Sequence, residues 1–205
     1  MIVVVDLDQT LLTVDSYPKW VFFLLRRSIA TIDPRTFILV FFYTVFRALR
    51  IYDHSTYKRK LMMLNNRDDL NKEFAESLPP FFRKEVTDYI KNNYADAKLI
   101  ISTAAPINYV EHLQKLLPFQ VEKIFASTLE NKNLMDNSRN SKVSSFQNSY
   151  PNLKCDVFMT DHIDDLPMMK FSNKVVLVMP SQATIDMVKK NGINAELILK
   201  ANRNP

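Results

Sequence analysis

Four short stretches of this chain are apolar without alternation: Ile2 to Val5, Lys98 to Ser102, Asp156 to Thr160 and Lys174 to Met179. A strand with one wet face alternates apolar and polar residues; a continuous run belongs to a strand covered on both faces. VEKIFAS (Val121 to Ser127) reads as a further strand, and ELILK near the C-terminus as a weaker one. Between them lie helical patterns: PFFRKEVTDYIKNNY, PINYVEHLQKLL and KVSSFQNSY. Strand and helix in alternation predict a doubly wound, Rossmann-like α/β fold, a parallel sheet of about five or six strands with right-handed crossovers.

One region breaks the alternation. From Thr13 to Ser77 the pattern is helical throughout, which predicts an all-helical insertion at 13–77 in a core made of 1–12 and 78–205. Asp15-Ser16 with Pro18, and Asp33 with Pro34, read as helix starts: a capping side chain, then proline in the first turn. Pro79-Pro80 ends the insertion. Within it, WVFFLL (Trp20 to Leu25) and FILVFFYTVF (Phe37 to Phe46) are closed by Arg26, Arg27, Arg47 and Arg50. Runs of about 10 residues are too short to span a bilayer. They fit either a hairpin packing its own core or an interfacial hairpin with basic ends near phosphate headgroups.

The formal net charge of +5 suits nucleic acid, a membrane or a phosphorylated small molecule. Apart from Lys58-Arg59-Lys60 the basic residues are dispersed, and no nucleic-acid motif accompanies them, so no nucleic-acid partner is expected. The one glycine, Gly192, excludes every glycine-rich phosphate loop and dinucleotide fingerprint. Any phosphate site must use side chains, helix ends and turns without glycine. Lone Cys155, at the start of an apolar strand, reads as buried filler. The acidic pair near the start interrupts any signal-peptide pattern, so the expectation is a cytoplasmic protein, working there or at the inner face of a membrane.

That pair is Asp6 and Asp8, following the first strand. Residues two apart in extended chain face the same way. Two carboxylates about 4 Å apart repel by roughly 4 kcal/mol at an effective dielectric near 20. The Asp156 to Thr160 strand ends in a second cluster, Asp161, Asp164 and Asp165. In a parallel sheet both clusters emerge at the carboxyl edge, where open α/β folds place ligands. Gathering these acids demands a cation, and an all-oxygen set favours Mg2+.

With these residues in view, the chain resembles the haloacid dehalogenase (HAD) superfamily. DLDQT (from Asp6) is similar to its first signature and TAAP (from Thr103) to its second. Lys142 in NSKVSSF resembles the third and DHIDDLP (from Asp161) the fourth, in the right order. The insertion between the first two looks like the type-one cap of the phosphoserine-phosphatase-like branch. The resemblance implies a magnesium-dependent phosphatase working through an aspartyl-phosphate. Asp6 would be the nucleophile, and Asp8 the general acid and then base. The ion would rest on Asp6, the Asp8 backbone carbonyl and Asp161. Lys142 would offset charge and restrain Asp6, Asp165 would position Lys142 or a metal-bound water, and Thr103 would hydrogen-bond phosphate. Ser102, Thr10 and His162 are further substrate-binding candidates.

Gln9 and His162 depart from the small residues common in the family, and His162 would reach substrate or cap the next helix. The resemblance implies an acidic residue after the first signature in a serine-phosphate hydrolase; TLLTVDSYPKW offers only Asp15, which reads as a helix cap and so argues against phosphoserine. The apolar insertion resembles that of members acting on lipid phosphates, so a lipid or apolar phosphate, with peripheral membrane contact through the insertion, is the expected partner. A phosphotransferase or mutase using the same intermediate, and a non-catalytic membrane- or ligand-binding module, are the other classes.

Overall fold

The computed structural model describes residues 1–64 and 67–199. Strand β1 (Ile2–Val5) runs into a tight turn, Leu7–Leu11, closed by the Leu12 N–H on the Leu7 carbonyl at 2.8 Å. Four helices follow: α1 (Ser16–Ala30), α2 (Pro34–Ala48), α3 (His54–Leu64) and α4 (Asp68–Glu76). Then come α5 (Lys84–Asn93), β2 (Lys98–Pro106), α6 (Ile107–Gln114), β3 (Lys123–Glu130) and β4 (Asn133–Met135). The chain closes with α7 (Asn140–Ser149), β5 (Cys155–Thr160), α8 (Leu166–Phe171), β6 (Ser172–Val178), α9 (Gln182–Lys190) and β7 (Ala195–Leu199).

The strands form one sheet in the order β4-β3-β2-β1-β5-β6-β7. Every neighbouring pair is parallel except β3 and β4. The fold is therefore the doubly wound α/β architecture, with seven strands in place of five or six. The weak C-terminal strand is β7; Lys200, the last residue of ELILK, lies outside the described residues. The additional strand is β4, paired back on β3 through Asn131 and Lys132, whose φ values are 49° and 65°. Left-handed backbone at both central positions is what a two-residue hairpin requires. This chain makes it without glycine, which hid the turn.

Alternate residues of each central strand serve opposite faces. Val3, Val5, Leu99, Ile101, Val157 and Met159 join one buried cluster, while Ile2, Val4, Ile100 and Phe158 join another. Trp20, Leu24, Leu61 and Phe74 of the insertion belong to the first cluster. The insertion's buried side chains thus join the cluster on one face of the sheet, while α1 and α2, and α2 and α3, also pack against each other. The helix expected from Pro80 begins only at Lys84, because Phe82 bridges to Leu12 and the Arg83 N–H bonds the Leu11 carbonyl at 2.8 Å.

β1 lies at the point where strand order reverses, with β2 on one side and β5 on the other. The crevice of a doubly wound sheet opens there, outside the carboxyl ends.

Candidate active site

The acids at the ends of β1 and β5 meet around Lys142 of α7. Its Nζ donates to Asp6 Oδ1 at 2.6 Å and to Asp165 Oδ2 at 2.8 Å, with its side chain only 4% exposed. That burial excludes a solvated helix-start lysine. Thr160 Oγ1 donates to the same Asp165 oxygen at 2.7 Å, fixing the acid that fixes the lysine. Asp165 thus positions Lys142. Burial alone would lower the Lys142 pKa, but Asp6 and Asp165 outweigh it and hold the ammonium above the ordinary lysine value. Burial pushes Asp6 up to about 8 against the pull of Lys142, with Asp165 and Asp161 adding to the rise. Lys142 is therefore charged, and its one ammonium does not outweigh what burial costs a charged Asp6.

Asp8 sits differently. Its Oδ1 accepts the Ser16 backbone N–H at 2.9 Å, so it caps α1. Burial raises its pKa to about 6 although the bonds from Ser16 oppose the rise. Asp15, expected to cap that helix, makes no side-chain cap bond and instead stands exposed on the cavity wall. The objection to an amine-bearing substrate that rested on Asp15 as a cap is thereby removed.

The cavity holds about 400 Å³ and is walled by Asp6, Asp8, Asp15, Thr103, Lys142 and Asp161, with His162 and Arg139 among its other residues. Thr103 and Ser102, adjacent on β2, cannot share a side. Thr103 lines the cavity, and its Oγ1 accepts the Ala105 N–H at 3.0 Å, leaving its proton to give. Ser102 does not line the cavity, and its hydroxyl accepts from Asn137 Nδ2 at 3.2 Å. Thr10 is likewise withdrawn from the substrate role: it is fully buried, and its hydroxyl donates to Asp161 Oδ1 at 3.1 Å. His162 both lines the cavity and caps the following turn, its Nδ1 accepting the Asp164 N–H at 3.2 Å.

The donor set fits a hard divalent cation. Asp6, Asp8 and Asp161 wall one cavity, and burial raises the Asp161 pKa as it does that of Asp6, so a cation placed among them would find carboxylates that gain from its charge. Among the described residues no three His, Cys, Asp or Glu side chains group closely enough to hold an ion by themselves. Two carboxylates, a backbone carbonyl and several waters is the sparse shell that Mg2+ accepts.

Two features escaped the sequence. Arg83 donates to the Thr10 carbonyl at 3.1 Å and the Gln9 carbonyl at 3.0 Å, tying down the turn in which Gln9 adopts φ 57°. Lys58, of the short basic cluster Lys58-Arg59-Lys60, is buried on α3; its Nζ bonds Ser127 Oγ at 2.8 Å, the Ala104 carbonyl and Asp136 Oδ1. Partners some 46 to 78 residues away leave no local signal.

The sheet is thus parallel around its switch point, with paired acids there and a lysine bridging the two acidic strand ends. The chain belongs to the HAD family, haloacid dehalogenase-like hydrolases, whose model matches residues 3–170. No curated protein sequence matches it. Among solved structures it is similar to a protein of unknown function from Bordetella pertussis Tohama I, at TM-score 0.77 and 16% identity over 97% of each chain. It is also similar to a phosphoserine phosphohydrolase-like protein from Francisella tularensis (TM-score 0.55, 16% identity, 96% of this chain and 93% of that one). A probable phosphoserine phosphatase from Vibrio cholerae gives TM-score 0.62 at 16% identity, over 97% of this chain and 60% of that one. At such identities the likeness is one of fold.

Proposed function

We propose that this protein is a magnesium-dependent phosphatase that hydrolyses a phosphomonoester through an aspartyl-phosphate on Asp6. The observation that carries the reading is Lys142 held between Asp6 and Asp165 on the wall of a cavity shared with Asp8, Thr103 and Asp161. In the first step an Asp6 oxygen bonds to phosphorus, the ester P–O bond breaks, and the leaving oxygen takes a proton from Asp8. A pKa near 6 lets Asp8 hold that proton far more readily than an ordinary aspartate. In the second step Asp8 accepts a proton from water as the water attacks phosphorus, releasing phosphate and restoring Asp6. The Lys142 ammonium and the Thr103 hydroxyl stabilise charge on the transferring group. A magnesium ion on Asp6, the Asp8 carbonyl and Asp161 would supply further neutralisation of that charge.

For the substrate we infer an apolar or lipid phosphate, a reading supported by the aromatic insertion, with phosphoserine as the comparison because Asp15 stands at the cavity. A panel of lipid, apolar and amino-acid phosphomonoesters decides between them, and brisk turnover of phosphoserine without lipid activity would reverse the order. The test of the reaction is phosphate release with and without Mg2+, comparing the parent with Asp6→Asn and adding no other acceptor. The variant is expected to lose several orders of magnitude, about 10³-fold or more, since the covalent route is removed. An Asp6→Asn protein of parental activity overturns the reading. Substrate consumed only when an acceptor alcohol is supplied, with the phosphoryl group recovered as an ester of that alcohol and no inorganic phosphate released, would make the protein a phosphotransferase.

A further inference from the structure

Helix α2 is out of place for a helix of a globular domain. Of its fifteen residues only Val40 is fully buried. Its outward side is apolar: Ile38, Phe41 and Phe42 are each 48% exposed and Leu49, its C-cap, is 64% exposed. These positions fall three, four and seven residues apart and so form one stripe along the helix. Ile29, in the last turn of α1, and Ile32, in the turn before α2, are exposed as well, at 64% and 89%. Isolated exposed apolar residues need no explanation, but a contiguous set of aromatic and branched ones does.

Charge identifies what covers it. From Ser16 to Tyr52 there are six basic residues, Lys19, Arg26, Arg27, Arg35, Arg47 and Arg50, and one acidic residue, Asp33, a net of +5. The formal charge of the whole chain is also +5, so everything outside this hairpin sums to zero. The segment that carries the barest apolar surface is thus also strongly basic. A protein interface concentrates apolar residues at its centre without requiring one sign of charge around it. An anionic lipid surface asks for both, aromatic and aliphatic side chains to enter the headgroup boundary and cations to sit among the phosphates. A spanning role is excluded on length: α2 is roughly 22 Å long at 1.5 Å per residue, against a hydrocarbon core of about 30 Å. Among the described residues no helix is long and apolar enough to cross a membrane.

We propose that the α1–α2 hairpin docks this protein on anionic membrane surfaces, with the Ile38, Phe41, Phe42 and Leu49 stripe of α2 lying in the interface. The docking is independent of the phosphatase reading and is tested without it. The full chain is sedimented with vesicles of phosphatidylcholine alone and of phosphatidylcholine with roughly one-third phosphatidylglycerol, at low salt and at about 0.5 M salt. The expected partition onto the anionic vesicles is at least tenfold above that onto neutral ones and falls as salt rises. Phe41→Ser/Phe42→Ser lowers it about tenfold or more, and so does Arg35→Glu/Arg50→Glu, while both melt within a few degrees of the parent. Equal, weak partition onto both vesicles overturns the proposal. So does self-association that depends on Phe41 and Phe42 and occurs without vesicle binding, which would assign the face to a second copy of the chain.

Discussion

Replacing Lys58 by methionine tests the seating of the insertion on the catalytic edge. The ammonium removed makes three bonds, to the Ala104 carbonyl, Ser127 Oγ and Asp136 Oδ1, with its side chain 3% exposed. Burial pulls its pKa below the usual lysine value, and Asp136 pushes back. Deleting one partner of a fully buried ion pair costs about 3–5 kcal/mol. Here the Asp136 side chain is 31% exposed and keeps the bond from Ser138 at 2.5 Å. The single Ser127 hydroxyl proton then serves either Asp136 at 3.0 Å or the Ala104 carbonyl at 2.8 Å. With those partners retained the cost falls to about 2–3 kcal/mol.

For a protein of this size that is a fall in Tm of roughly 5–10 °C. Calorimetry on the parent, Lys58→Met, Asp136→Asn and the double variant should give a coupling of about 1–3 kcal/mol. The effect also has a pH signature. Burial would raise Asp136, but the charge and bond of Lys58 outweigh it and hold the carboxyl below its ordinary 3.8. A depressed carboxyl stabilises the folded state above its unfolded pKa and ceases to as pH falls through the folded one. The difference between parent and variant should be full above about pH 5 and shrink below about pH 4. A Tm change under about 2 °C, or additive single variants, refutes the argument.

Thr10→Val keeps the shape but deletes the hydroxyl that orients Asp161, so the Mg2+ concentration giving half-maximal activity should rise about tenfold or more, read from activity against Mg2+. Added Mg2+ at about 100 times its Kd should stabilise the parent by about 2.7 kcal/mol, several degrees in Tm, and should do little for Asp161→Asn. Gln9→Gly relieves a left-handed residue at φ 57° and should leave stability unchanged or raise it by up to about 1 kcal/mol in a denaturant titration, the strain relieved being partly offset by unfolded-chain entropy.

What the sequence made legible was whatever is written locally or in period. Buried strands announce themselves by continuous apolar runs, and the Asp6 and Asp8 pair and the Asp161 to Asp165 cluster follow directly from their ends. Turns without glycine were not legible: β4 depends on Asn131 and Lys132 accepting positive φ, a choice that tertiary contact imposes. Capping misled at Asp15, where proximity to Ser16 suggested a cap that the more distant Asp8 supplies. The role of Lys58 was not legible because its partners arrive from β3 and the loop before α7. Thr10 was misread for a related reason, since a hydroxyl next to a signature motif serves a ligand or a neighbouring acid equally well on paper.

The two anchors of the insertion decide how a substrate reaches Asp6. One is the Ser16 N–H on Asp8 at 2.9 Å; the other is Lys58 on Asp136 and Ala104. A hydrogen bond to a charged group is worth about 1.5–3 kcal/mol, so lifting the four helices as one body breaks polar interactions of roughly 4–5 kcal/mol and uncovers Trp20, Leu24, Leu61 and Phe74 besides. At that cost the lifted form is populated about one part in a thousand or less, and a substrate that required it would bind correspondingly more weakly. Entry therefore runs through the mouth already present, beside exposed Asp15 and His162. The outer stripe of α2 faces away from both anchors in the chain of contacts, since its inner side is held by the Thr44 hydroxyl on Tyr57 at 3.0 Å, the residue before Lys58. Contact with a lipid surface thus bears on the insertion without displacing the groups that hold Asp8 and Thr103 in place.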